Sequence, residues 1–329
     1  MQIENGTFMI TGGVSLVGSH ITEQLLEQGA KQIILFDNYS LGSPDMIADI
    51  LQDKRVKLVR GDIMRTNELY DNLEGVDGVF MVAAFLTLPL SQNPQLGLAV
   101  NVQGQINVLE ACRYRGVKRV VLSSSIATYG EPDKNLVDEM APFRWQSLSP
   151  AGVLYGCTKL IGENLLKLYH QRYGMGTVSL RYSSVYGERQ HYRGVNALYI
   201  IETYDKILKG ERPTIPDDGS EVHDYVHVGD VARANIMAMG SDVSGESFNV
   251  CTGKATTLNE LVGIVLQVTG SDLKPEYKND PNAVRVTTSD TLNLSIDKIK
   301  KHIGWEPKVG IEEGVRRVIK WRESQTSKA

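Results

Sequence analysis

"MITGGVSLVGSH", residues 9–20, decides the reading of this chain. "TFMIT" (7–11) is an apolar run of strand length, and "LVGSHITEQLLEQG" (16–29) carries apolar residues at helical spacing until Gly29 stops it. A glycine turn joins them. Backbone N–H groups at such a turn, at the N-terminus of a helix, bind pyrophosphate with the help of the helix dipole. Gly12, Gly13 and Gly18 stand where the turn needs them, but Ser15 stands where one more glycine is expected. Serine is the smallest polar replacement, and its hydroxyl can donate to a phosphate oxygen. It gives up some closeness of approach and backbone freedom. The turn therefore reads as modified but working.

A glycine turn alone is a weak signal, and its context strengthens it. Asp37 ends the next strand, 19 residues past Gly18, near the spacing of about 20 at which an acid accepts the ribose hydroxyls of a dinucleotide. Its charge would repel a 2′-phosphate and no Arg follows closely, so NAD is expected rather than NADP. Asp62, in "RGDI", reads in two ways: as an acceptor for the adenine amino group, or as the N-cap of a helix starting just after it. Ala83 and Ala84 end the fourth strand, where small side chains let a flat cofactor pass.

Outward from this unit, strands and helices alternate. "QIILFD", "VKLVRGD", "GVFMVAA", "RVVLSSS" and "TVSLRYSS" give strands two to six, with helical patterns notably over 94–115 and 155–173. Short apolar strands alternating with helices predict an α/β fold, a doubly wound parallel sheet of the Rossmann type. The pattern loosens after about residue 187. The expected division is a dinucleotide-binding domain over 1–187 with a returning segment at about 222–252, and a smaller C-terminal substrate lobe over 188–221 and 253–329.

The 329 residues suit one large domain or two joined intimately. Hydrophobic residues make up 42% and charged residues 22%, and the net charge is −4 with no basic stripe, so nucleic acid is not an expected partner. "MQIENGTFMITGG" lacks the basic and apolar segments of a signal peptide, and no apolar run approaches the roughly 18 residues of a membrane span. Cys112, Cys157 and Cys251 are odd in number and lack metal-like spacing. They read as small core residues in a reduced cytoplasm, and no metal is expected.

The chemistry sits in "VVLSSSIATYG" (120–130) and "LYGCTK" (154–159). Tyr155 and Lys159 are four apart and share one face of a helix. Moving a hydride between a carbinol carbon and nicotinamide requires moving the hydroxyl proton too. A phenol is a poor base at its usual pKa of about 10. A neighbouring ammonium and a cationic nicotinamide ring both favour the phenolate. Lys159 would supply that charge and hold the ribose hydroxyls, while Ser125 would orient the substrate oxygen toward Tyr155.

These residues resemble the extended short-chain dehydrogenases, the NAD-dependent epimerase/dehydratase group, and most of all UDP-glucose 4-epimerases. "TGGVSLVGSH", "LFDNYS", "RGDI", "NVQGQINVLEAC", "SSSIATYG", "YGCTK", "LRYSSVYG" and "HIGWEPKVGIEEGVRR" match in order, nearly end to end. The resemblance implies NAD binding by Gly12, Leu16, Val17, Gly18, Asp37, Asn38, Asp62, Ile63 and Asn101, and a catalytic set of Ser125, Tyr155 and Lys159. Ser15, Ser40, Ala83 and Ala84 complete the expected cofactor set, and Phe85, Thr87, Ser125, Ser184 and His223 form the expected substrate set. The resemblance also implies a homodimer through the helices at 94–115 and 155–173.

Departures from the family pattern bear on the substrate. Ile126 and Ala127 follow Ser125, where 4,6-dehydratases carry an Asp-Glu pair, so dehydration by that route is not expected. Ser184 replaces an Asn, and His223 and Asp280 replace two Arg residues that hold the substrate diphosphate in the family, with Arg285 a possible stand-in after a shift of alignment. Each lost charged hydrogen bond costs about 1.5–3 kcal/mol, so two weaken binding by about a hundredfold or more. Phe85, Leu86, Leu88 and Leu90 lie where members of the family approach nicotinamide and substrate, and read either as an apolar wall there or as packing under the loop or at a dimer contact. The leading expectation is an NAD-dependent oxidoreductase acting on a secondary alcohol or ketone that is not a typical UDP-sugar. The alternatives are a nucleotide-sugar 4-epimerase with a rebuilt diphosphate site, and a non-catalytic NAD-binding regulator.

Overall fold

The computed structural model describes residues 1–131, 135–190, 198–279 and 292–326; Asp280 and Arg285 lie outside the described residues. The first half runs β1 (Thr7–Thr11), α1 (Leu16–Glu27), β2 (Gln32–Asp37), β3 (Val56–Arg60), α2 (Thr66–Asn72), β4 (Gly78–Met81), α3 (Thr87–Gln92), α4 (Pro94–Leu98), α5 (Gln105–Arg115), β5 (Arg119–Ser125), α6 (Pro150–Tyr173) and β6 (Gly176–Tyr182). The second half adds β7 (Ser184–Tyr186), α7 (Leu198–Leu208), β8 (Thr214–Pro216), β9 (Val222–His223), β10 (Tyr225–His227), α8 (Val228–Gly240), β11 (Glu246–Val250), β12 (Thr256–Thr257), α9 (Leu258–Thr269), β13 (Glu276–Lys278), α10 (Asp297–Ile303) and α11 (Ile311–Thr326).

Seven strands form one sheet in the order β11-β6-β5-β4-β1-β2-β3, and every pairing in it is parallel. Successive side chains of a strand point to opposite faces, and the strands follow this closely. Phe8, Ile10, Ile33, Leu35 and Val121 pack on the face covered by α1 and α8. Met9, Ile34, Phe36, Val120 and Leu122 pack on the face covered by α2, α5 and α6. Both faces are dry, which is why these strands read as unbroken apolar runs. In the C-terminal lobe, Ile201 and Tyr204 of α7 meet Leu261 and Val265 of α9 and Val315 of α11.

Three segments differ from the sequence reading. The helix expected over 94–115 is α4, then a π-wound stretch at Ala99–Gly104, then α5. Such wider turns inside helices are frequent at functional sites, and here Asn101 is fully buried. The helix expected over 155–173 begins at Pro150: the Ser149 side chain accepts from Gly152 N, and proline at the first helical position needs no hydrogen bond. The sixth strand ends at Tyr182, and the chain steps out of the sheet to pair β7 with β10.

That step is held by Asp224, which is 1% exposed. Its Oδ1 accepts from Ser183 Oγ at 3.0 Å and from Thr252 N at 2.8 Å, and its Oδ2 accepts from Gly253 N at 2.7 Å. Removing a buried anion strands several donors at once. Asp224→Ala is expected to cost at least about 3 kcal/mol in urea unfolding, with Asp224→Asn recovering part of the loss.

Candidate active site

The loops after the parallel strands open on one groove. At its centre, Gly12 has φ +72°, and a Cβ there would lie 2.8 Å from Ala83 N. A Cβ on Gly18 would lie 2.5 Å from the Gly12 carbonyl oxygen. Both glycines are fixed by space. Ser15 is the N-cap of α1: its Oγ accepts from Gly18 N at 3.1 Å, which leaves the hydroxyl proton to point elsewhere. Leu16 and Val17 occupy the first two helical positions, whose amides have no acceptor within the helix. Backbone amides so placed at a helix N-terminus form a cradle of the kind that suits a diphosphate.

Asp37, Asn38, Ser40, Asp62, Ile63, Ala83 and Phe85 line one half of the groove, and Leu16, Val17, Leu86, Ser125, Tyr155 and Lys159 the other. Ser15, Gly42, Val82 and Ala84 line both halves, so the groove is continuous. Asp37 is oriented by Val14 N at 3.1 Å and Tyr39 N at 2.8 Å. Burial pushes its carboxyl up, and these amide bonds oppose the shift. Asp62 is not a helix cap, because α2 starts only at Thr66. Its carboxylate accepts from Met64 N at 2.9 Å and from Asn38 Nδ2 at 3.2 Å. Asn101 is off the groove: it accepts from Phe85 N at 2.7 Å and donates to Phe85 O at 2.9 Å, shaping the loop.

At the far half, Ser125 is the last residue of β5 and hydrogen-bonds the Tyr155 phenol. Burial pushes that phenol up to about 12, and the serine bond pulls the other way. Lys159 Nζ donates to Ser123 O at 2.8 Å and lies 5.6 Å from the centre of the Tyr155 ring. Burial pulls the ammonium down to about 8, against the nearby Glu163 carboxylate, which raises it. A dry phenol beside a dry ammonium can exchange a proton with a bound hydroxyl, because each charge stabilises the other.

The expected substrate residues divide. Phe85 and Leu86 face the groove, but the supposed wall does not extend further: residues 87–92 are α3, and Leu90 is fully buried. Thr87 opens α3 and does not line the groove. Ser184 Oγ and His223 Nδ1 are 3.3 Å apart, His223 Nε2 is 3.0 Å from Glu221 Oε1, and neither Ser184 nor His223 lines the groove. Tyr182, Ser183, Val185 and Gln190 do line the half beside Tyr155. They were missed, although they follow the sixth strand, where ligands of parallel sheets lie.

Ser15 therefore acts first as a cap. Ser15→Ala is expected to cost about 1 kcal/mol of stability in urea unfolding, and Ser15→Gly only a few tenths.

Residues 8–251 match the NAD dependent epimerase/dehydratase family. A Methanocaldococcus jannaschii protein, provisionally named a UDP-glucose 4-epimerase, is 36% identical over 96% of this chain and 98% of its own length. The Thermotoga maritima UDP-glucose 4-epimerase, solved with UDP-glucose, is 31% identical with a TM-score of 0.86 over 97% of this chain and 99% of that one. The Thermus thermophilus UDP-glucose 4-epimerase, solved with NAD, is 33% identical with a TM-score of 0.82 over 96% and 99% of the two chains. With a match across most of its length and the cradle such a cofactor needs, this chain belongs to the NAD-dependent epimerase/dehydratase family.

Proposed function

We propose that the chain is an NAD-dependent nucleotide-sugar 4-epimerase, acting on a UDP-hexose. The carrying observation is the meeting of Ser125, Tyr155 and Lys159 at one end of a dinucleotide groove. Relatives that match over nearly their whole length are UDP-glucose 4-epimerases, which favours the sugar over the small alcohol or ketone first expected. The Leu16 and Val17 amides and Ser15 would hold the cofactor diphosphate, Asp37 the adenosine ribose and Asp62 the adenine amino group.

NAD supplies a hydride acceptor and donor at the carbinol carbon. The chain's own groups handle the proton: Tyr155 accepts it from the sugar hydroxyl and returns it, Ser125 fixes the oxygen, and Lys159 stabilises the phenolate. A buried ammonium pulled toward 8 remains charged on the acid side of that value, so turnover is expected to fall as pH rises through it.

The same residues serve oxidation of a secondary alcohol without a nucleotide. Ser184 and the Glu221-paired His223, in place of an amide and a guanidinium, favour that second reading. The two separate by incubation of the purified chain with UDP-galactose or UDP-glucose. Interconversion carries the epimerase; no conversion, with alcohol-dependent absorbance at 340 nm, carries the other. In either case Tyr155→Phe is expected to lower kcat at least about a hundredfold with little change in KM. Gly18→Ala is expected to weaken NAD binding at least about tenfold by calorimetry, since the helix must move off the turn.

We also propose that the chain pairs with a second copy through α5 and α6. Leu154, Ile161 and Leu168 recur every seven residues along α6 and are 37%, 42% and 49% exposed. An apolar stripe at that spacing is a seam for another helix. Light scattering is expected to give twice the chain mass of 36.4 kDa, and Ile161→Glu to give a single chain.

A further inference from the structure

The three serines at the end of β5 meet a stripe on α6 one by one. Ser125 hydrogen-bonds the Tyr155 phenol, Ser123 O accepts from Lys159 Nζ at 2.8 Å, and Ser124 Oγ donates to Glu163 Oε1 at 2.6 Å. Residues 155, 159 and 163 are spaced by four and share one face of α6. Glu163 is 1% exposed and takes a bidentate bond from Arg181 of β6, with Nε at 2.8 Å and Nη2 at 2.6 Å. Ser247 of β11 donates to its other oxygen at 3.0 Å. Arg181 is fixed in turn by Tyr129 Oη at 2.9 Å and by the Glu139 carbonyl at 3.1 Å.

One carboxylate thus ties α6 to three neighbouring strands, one helical turn beyond Lys159. We propose that Glu163 is a positioning residue for the reaction at this site: it holds α6 in register on β5 so that Tyr155 meets Ser125, and it keeps Lys159 charged. The inference rests on the roles given above to Tyr155 and Lys159. A fork-shaped guanidinium is suited to the anchoring, because two parallel bonds fix angle as well as distance. The charge effect runs in the same direction, since Glu163 raises the Lys159 ammonium against its burial. Among the described residues, the charged and titratable groups meeting this face of α6 are Tyr155 and Lys159 on the helix itself, Arg181 of β6, and Tyr129 and Glu139 behind it.

The test compares Glu163→Gln with the paired variant Glu163→Gln/Arg181→Met, which leaves no unmatched guanidinium in the core. Two readings are taken on NAD-saturated protein. One is the titration of Lys159, followed by 13C NMR of ε-labelled lysine and assigned with Lys159→Arg. The other is the pH profile of UDP-hexose turnover. The Lys159 titration is expected to move down by about one pH unit in Glu163→Gln, and by less in the paired variant, where the Arg181 charge is lost as well. In whichever variant retains the wild-type circular dichroism, kcat is expected to fall at least about tenfold, with the alkaline limb shifted down and KM within about twofold of wild type. A folded Glu163→Gln variant with an unmoved titration, or unchanged kcat in a folded variant of either kind, overturns the proposal. If the wild-type chain turns over no nucleotide sugar, the proposed function fails, and the lysine titration alone decides the role of Glu163.

Discussion

A parallel strand can be entered only by a crossover, so every strand of this sheet ends at the same edge. The strand order reverses between β1 and β4, and the crossovers leave to opposite sides there. The gap between them is narrow: Ala83 N donates to Thr11 O at 2.9 Å, and Gly12 leaves no room for a Cβ against Ala83. The groove starts at this point and runs both ways along the edge. One arm reaches Asp37, the last residue of β2, and Asp62, just after β3. The other reaches β5, whose last residue is Ser125.

Burial does opposite things to the groups at the end of that second arm. It makes the Tyr155 phenol harder to ionise and the Lys159 ammonium easier to neutralise. Both shifts favour the neutral form of the group. A cation near a phenol favours its ionised form, the Glu163 anion near the ammonium opposes its loss of charge, and the dry surroundings strengthen both effects. Such arrangements are costly to break, since a charge left unpaired in the core loses its hydration without a substitute. The carboxylate of Glu163 meets this constraint by accepting from Arg181, Ser124 and Ser247 together.

Much of this architecture is legible in the sequence. β1 and β5 match the runs "TFMIT" and "RVVLSSS" because buried parallel strands leave an uninterrupted apolar or small-residue signature. The Tyr155–Lys159 pair is legible because helical spacing alone aligns it. Other features depend on distant partners. Asn101 is buried within a π-wound turn, and no periodicity marks that turn. The early start of α6 was signalled by Ser149 and Pro150, a cap followed by proline. Asp62 resembled a cap, but its carboxylate is taken by Met64 N within a turn that precedes the helix. Arg181 lies in an apolar strand and gains meaning only when folding sets it against Glu163.

The same contrast explains why the family is plainer than the substrate. The cofactor diphosphate is gripped by backbone amides at a helix N-terminus, and a backbone amide is present whatever side chain it carries. Ser15 can therefore replace a glycine and even strengthen the helix as its cap, provided Gly12 and Gly18 keep the space open. A substrate diphosphate has no such support from the turn and must be met by side chains, where an amide or a guanidinium has no equal substitute. Ser184 and His223 bond to each other instead, and Glu221 further engages the histidine. A change of one residue leaves the first kind of site working and rebuilds the second. Substrate choice can thus drift in this fold while the grouping of Ser125, Tyr155 and Lys159 at the end of the groove remains intact.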